Sequence, residues 1–228
     1  MVGFELTKSQ QLCKDLFHSF AENELRPIAR DMDEKEEYPR ELLDKLQKAH
    51  MLGIPYPREL GGAGADVLTY TLAMEEVSKI DASTGITLSV HTSLCCPCIY
   101  ENGTEEQKEK YLRPLISGEK IGAFSLTEPN AGTDASGVQT TADKDGDYYI
   151  LNGSKMFTTN AGFADTFIVF ALTDKSKGPK GMSAFIVDRT MEGVSVGTNI
   201  PRMGIRAASN CEVAFVNVKV PADRLLGR

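Results

Sequence analysis

Near Ile121 the spacing of apolar residues changes from about 3.6 to about 2, and that change of period divides the chain into two kinds of structure. Upstream, Leu12, Leu16, Phe20 and Leu25 recur at helical spacing behind Thr7 as N-cap, with Pro27 placed to kink or end the helix. Pro39 suits a first helical position, and the helix it opens is expected to stop at Gly53. Asp66 caps a helix over 67–80. The segment 82–103 is apolar on nearly every face and belongs in the interior. Thr104 with Gln107 forms a capping box for a further helix. Downstream, short alternating runs such as "IGAFSLTE", "TFIVFALTD", "GMSAFIVD" and "SNCEVAFVNVKV" read as strands parted by turn signals. Among these signals, Asn152-Gly153 reads as a hairpin turn that returns Lys155 to Asn160 beside the preceding strand. The expected fold class is an all-α N-terminal domain over residues 1–120 followed by an all-β domain over 121–228.

Charge narrows the function. A net charge of -7 with no basic cluster excludes a nucleic-acid surface, which needs a concentrated positive field. No apolar stretch has the length to span a bilayer, so no membrane is expected. The N-terminus lacks the apolar run of a signal peptide and the Arg-rich character of a transit peptide, which makes the cytoplasm the simplest localisation. Five cysteines, three of them bunched in "CCPC", suit a reducing compartment and not a disulfide scaffold. Their spacing is not that of a zinc site, so no metal is expected and buried helix cysteines are the better reading. "LGGAGAD" matches a dinucleotide fingerprint only in part and lacks the βαβ context that fingerprint requires. "VPADRLLGR" ends without a closing element, from which a missing C-terminal part is expected.

Two polar stretches stand out. In "IGAFSLTEPNAGTDASG", Thr127, Asn130, Thr133, Asp134 and Ser136 follow a strand and can hold a polar, phosphate-bearing cofactor; they can equally bond their own backbone in an elaborate turn. In "NGSKMFTTNAG", Phe157 stands beside two hydroxyls, Thr158 and Thr159, an arrangement able to sandwich a flat ring or simply to form a half-exposed strand. Thr87, Val90 and Leu94 share one helix face, which either lines the end of an apolar pocket or is plain core.

Together, "GIPYPRELGGAGAD", "FSLTEPNAGTDASG", "LNGSKMFTTNAG", "TDKSKGPKGMSAFIV" and "MGIRAASNCEVAFVNVKVPADRLLG" resemble the acyl-CoA dehydrogenase family, in particular its short-chain, butyryl-CoA branch. The resemblance runs over nearly the whole chain in the right order. It implies an N-terminal helical domain, a middle β-barrel and a C-terminal helical bundle, the last absent from this chain. It implies FAD as cofactor, a short-chain acyl-CoA as substrate and dehydrogenation to the trans-2-enoyl-CoA, or the reverse reduction. The partners implied are an electron-transferring flavoprotein and copies of the chain in a homotetramer.

Residue by residue, Phe124, Ser125, Leu126, Thr127 and Thr133 resemble the first flavin-binding stretch, and Phe157, Thr158 and Thr159 the second. Thr133 also matches a residue that helps hold acyl-CoA, and Thr87, Val90 and Leu94 match the helix closing the acyl pocket. The cluster Lys175, Ser176 and Lys177 either meets CoA phosphates or is a solvated turn. The catalytic base belongs to the absent bundle, so this chain alone is expected to be inactive; a non-catalytic acyl-CoA- or flavin-binding module is the alternative. Thr158 departs from the family by placing a hydroxyl where an apolar residue is common.

Overall fold

A computed structural model describes residues 5–227; the first four residues of the stretch read as carrying no signal peptide lie outside it. Helix α1 (Lys8–Phe20) opens on a reciprocal cap: Gln10 N–H donates to Thr7 Oγ1 at 3.2 Å, and Thr7 N–H to Gln10 Oε1 at 3.0 Å. Its inward face is not the expected one. Phe17, Ala21 and Leu25 are buried, whereas Leu12 and Leu16 are exposed. The chain then widens into a π-helical turn over Ala21–Leu25, and Pro27 lies in the gap before α2 (Ala29–Lys35).

Pro39 is the N-cap of α3 (Arg40–Lys48), one residue outside the helix. This helix ends at Lys48 and not at Gly53, because His50 turns to φ 53° and breaks the helical path. The glycine-rich stretch expected not to bind a dinucleotide folds back on the loop after α3, with Gly64 N–H donating to Tyr56 C=O at 2.8 Å. Asp66 caps α4 (Val67–Ile80) through Thr69 N–H at 2.7 Å. The segment 82–103 is mostly buried as expected, but it is not one regular helix. A π-helical turn over Val90–Cys95 separates α5 (Ala82–Ser89) from α6 (Cys96–Asn102). Thr104 and Gln107 cap α7 (Glu105–Gln107), another wide turn follows, and α8 (Arg113–Ile116) ends the helical part.

Strands then run as β1 (Gly122–Ser125), β2 (Thr141–Asp145), β3 (Tyr148–Thr159), β4 (Thr166–Leu172), β5 (Met182–Asp188), β6 (Val194–Asn199), β7 (Asn210–Pro221) and β8 (Leu225–Leu226). Hydrogen bonds join them in the order β6-β7-β3-β2-β4-β5-β8, with β1 lying parallel on β4. Val194 and Val196 at one end and Leu225 at the other pack on a common core, so the sheet curls around it. The implied barrel is therefore a curled mixed sheet with β6 and β8 at its two ends.

The hairpin expected at Asn152-Gly153 does not form. β3 continues through those residues and pairs with β7 on both sides of them, with a bulge between Leu151 and Gly153. The β2–β3 hairpin turns instead at Gly146-Asp147, where Gly146 has φ 58°. The "RLLG" ending supplies the short strand β8 against β5.

β4 is apolar on both faces because both are covered. Phe167, Val169 and Ala171 enter the sheet core, while Ile168 joins Cys95, Ile99, Leu112 and Leu115 of the helices. The continuous apolar run "TFIVFAL" reflects this double burial. Among the described residues, no helix is long and apolar enough to cross a membrane.

Candidate functional site

The two polar stretches meet where β1 leaves the sheet and β3 ends. Met156 N–H donates to Thr127 C=O at 2.8 Å, and the Ser125 and Thr158 hydroxyls are bonded at 3.2 Å in a fully buried position. Lys155 faces inward from β3, where strand alternation would place an apolar side chain. Its ammonium donates to Leu126 C=O at 3.1 Å and to Glu128 Oε1 at 2.7 Å. Glu128 also accepts Gln139 N–H at 2.7 Å and Thr140 N–H at 3.0 Å. Burial raises the Glu128 pKa, but Lys155, Thr140 and the two backbone donors more than offset it, so this carboxyl stays below the usual range. Burial likewise pulls the Lys155 ammonium below its ordinary value, opposed by Glu128.

A second bulge lies between Lys155 and Thr158. It turns Phe157 to φ 55° and leaves the residue 55% exposed. A bulky side chain in left-handed backbone is strained, and such strain persists only where neighbours over-determine it. Here the neighbours are Lys155 on one side and Asn160 on the other. Asn160, at φ 70° and fully buried, donates through Nδ2 to Thr87 C=O at 3.0 Å and Gly122 C=O at 3.1 Å. It thereby ties the end of β3 to α5 and to β1.

His91 makes a parallel tie. Its Nδ1 accepts Gly122 N–H at 3.0 Å, so the proton sits on Nε2, which donates to Leu115 C=O at 3.1 Å. Burial pushes its pKa down to about 4. This histidine is structural.

Of the residues singled out from the sequence, Phe124, Ser125, Leu126, Thr127, Phe157, Thr158 and Thr159 are brought together by the β1 exit and the β3 end. Their roles differ. Ser125 and Thr158 are sealed inside, Phe124, Leu126, Thr127 and Thr159 are half-buried, and Phe157 is at the surface. Thr133 lies exposed on the following turn, where Asp134 accepts Ser136 N–H at 2.9 Å. That part of the loop therefore does bond its own backbone. Thr87 and Val90 are buried, and Thr87 Oγ1 has no partner, but Leu94 is 42% exposed. The wide turn over Val90–Cys95 advances each residue by a smaller rotation than an α-helix does, which takes Leu94 off the shared face. In the basic loop, Asp174 accepts Ser176 N–H at 3.0 Å and pairs with Lys177 at 3.1 Å, so part of its charge is met locally.

Sequence reasoning missed Lys155 and Asn160. The first was legible as a lysine at an inward alternation position, and the second as an Asn in the turn signal that ends a strand. Cys95 and Cys96 are buried and unpaired, their thiols pushed up by burial. No group of ligating side chains able to hold a metal occurs among the described residues.

Residues 7–119 match the family model described as acyl-CoA dehydrogenase, N-terminal domain, and residues 123–218 match the one described as acyl-CoA dehydrogenase, middle domain. The chain is 52% identical over 227 residues to the short-chain specific acyl-CoA dehydrogenase of Clostridium acetobutylicum, covering 100% of this chain and 60% of that protein. It is 44% identical over 222 residues to the caffeyl-CoA reductase-Etf complex subunit CarC of Acetobacterium woodii, covering 97% of this chain and 59% of that one. The solved structure of butyryl-CoA dehydrogenase from Megasphaera elsdenii superposes with a TM-score of 0.96 at 49% identity, covering 100% of this chain and 60% of its own. The chain thus spans about 60% of the length of these relatives.

Proposed function

We propose, since this chain belongs to the acyl-CoA dehydrogenase family, that it forms the flavin- and CoA-facing part of an FAD-dependent enzyme interconverting a short-chain acyl-CoA and its trans-2-enoyl-CoA. Residues 1–120 and 121–228 are its helical and β domains. The observation that carries the reading is Phe157, strained and exposed at the end of β3, beside half-buried Thr127 and Thr159. An exposed aromatic face with hydroxyls at its edge fits the flat, polar-edged ring of a flavin. The buried, unpartnered Asn160 Oδ1 and Thr87 Oγ1 leave further polar capacity near this mouth.

Phe124, Leu126, Thr127, Phe157 and Thr159 would face the ring, with Thr127 and Thr159 as hydrogen-bonding side chains, and the sealed Ser125–Thr158 pair would brace the two stretches from behind. Thr133 would hold the CoA part, and Thr87, Val90 and Leu94 the end of the acyl group. When bound, FAD supplies the two-electron acceptor for hydride from the β-carbon. Donors at the ring edge favour its electron-rich reduced form.

Glu128 is not the base that removes the α-proton, because its carboxylate is bonded to Lys155 and two backbone N–H groups. Asp134 is engaged with Ser136. On the family reading that base belongs to the C-terminal bundle, and this chain alone is then inactive. The reductive direction draws support from CarC, a caffeyl-CoA reductase subunit named with an Etf complex. An electron-transferring flavoprotein as redox partner, a tetramer and a cytoplasmic setting belong to the same reading, the last supported by the free cysteines.

An anaerobic visible spectrum, with FAD and then butyryl-CoA added, tests it. Uptake of FAD without bleaching by substrate is expected of this chain. Protein that takes up no FAD would leave a non-catalytic module in its place.

A further inference from the structure

We infer that the buried Glu128–Lys155 ion pair is the positioning device of the site, holding the segments 124–127 and 157–159 in the relation a flavin needs. The inference rests on the flavin reading above. The Lys155 side chain is 0% exposed and that of Glu128 6%. One ammonium bonds the chain on both sides of Thr127, through Leu126 C=O at 3.1 Å and the Glu128 carboxylate at 2.7 Å. The same lysine stands at the last paired position of β3 before the bulge that turns out Phe157. Glu128 extends the link to the entry of β2 through Gln139 and Thr140 N–H.

Removing two charges from water is costly, and an apolar pair of similar volume would hold a core at least as well. An ion pair differs in having direction. The Lys155 donors select one carbonyl and one carboxylate, so a slip of β3 against the β1 exit breaks several charge-assisted bonds at once. The interior farther along β3 and β7, around Leu151, Val218 and Val220, is filled by apolar side chains. The ionic pair thus sits where position matters most, between the two halves of the site. Lys155 and Glu128 act through the residues they hold, as positioning residues.

The test compares Lys155→Met, the charge-neutral double variant Glu128→Gln/Lys155→Met, and Leu46→Ala, which thins the helical core far from the site. For each, the FAD dissociation constant, the visible absorption band and the midpoint potential of the bound flavin are measured well below the melting temperature. Both pair variants are expected to weaken FAD by about tenfold or more and to shift the band and potential. Leu46→Ala, with a comparable loss of melting temperature, is expected to move none of the three. Should Lys155→Met fail to fold because Glu128 is left unpaired, the double variant decides. Unchanged FAD affinity and spectrum in the double variant would overturn the inference, as would an equal loss in Leu46→Ala. A parent protein that binds no FAD overturns the flavin reading itself.

Discussion

Phe157 accepts two costs at once, left-handed backbone and exposure, both set by the bulge between Lys155 and Thr158. Strain of that kind is retained where a site uses it. Phe157→Gly is therefore expected to raise stability by about 1 kcal/mol, since glycine takes positive φ freely, while weakening FAD; paired melting and flavin titrations check both signs. His91 makes a different residue-level case. Its pKa falls from 6.5 to about 4 on burial, so between those values the unfolded chain binds a proton that the folded one refuses. Stability should rise with pH across that window and be lost as pH falls toward 4. His91→Gln should flatten the difference between urea midpoints at the two ends of the window. Thr158 is legible in sequence only as a departure from its family. Its burial against Ser125 gives that departure a use, because the two hydroxyls satisfy one another.

Elements began where short-range chemistry said they would. Thr7 with Gln10, Asp66, and Thr104 with Gln107 all cap their helices, because a cap needs only residues within one turn. Thr104→Ala should cost about 1 kcal/mol in thermal unfolding. Asn152-Gly153 shows where local reasoning fails. A two-residue turn would suit it, but β7 offers a longer ladder on both sides, and the pair becomes a bulge. Glycine is needed there because a Cβ at 153 would come within 2.8 Å of Thr140 Cα. Gly153→Val is accordingly expected to cost about 1–3 kcal/mol by overpacking, read as a shift of the urea midpoint at constant slope. The wide turns within 21–25 and 90–95 were hidden for the opposite reason, as no residue type marks them.

Across the whole molecule, helices and sheet are joined through polar ties at β1, at the end of β3 and in the loop before β7. Asn160 reaches Thr87, His91 receives Gly122, and Arg206 pairs with Glu36 at 2.6 Å. One cooperative unfolding transition is expected, with the helical circular dichroism and the exchange protection of β7 lost together. Asn160→Gly, which adds no backbone strain, should lower that single transition by about 1–3 kcal/mol, since it removes two buried side-chain hydrogen bonds that join β3 to α5 and β1. Separate transitions for the two parts would refute this coupling. By itself the sequence determined the helical and β halves, the strands from β4 to β7, three helix caps and the two stretches that meet at the site, because periodicity and capping act over a few residues. The tertiary structure alone decided that β1 lies parallel on β4, that β3 runs unbroken past Asn152-Gly153, that Leu94 turns outward, and that Lys155 and Asn160 hold the site. Each of these depends on partners distant in the chain, whose bonds outweigh local preference.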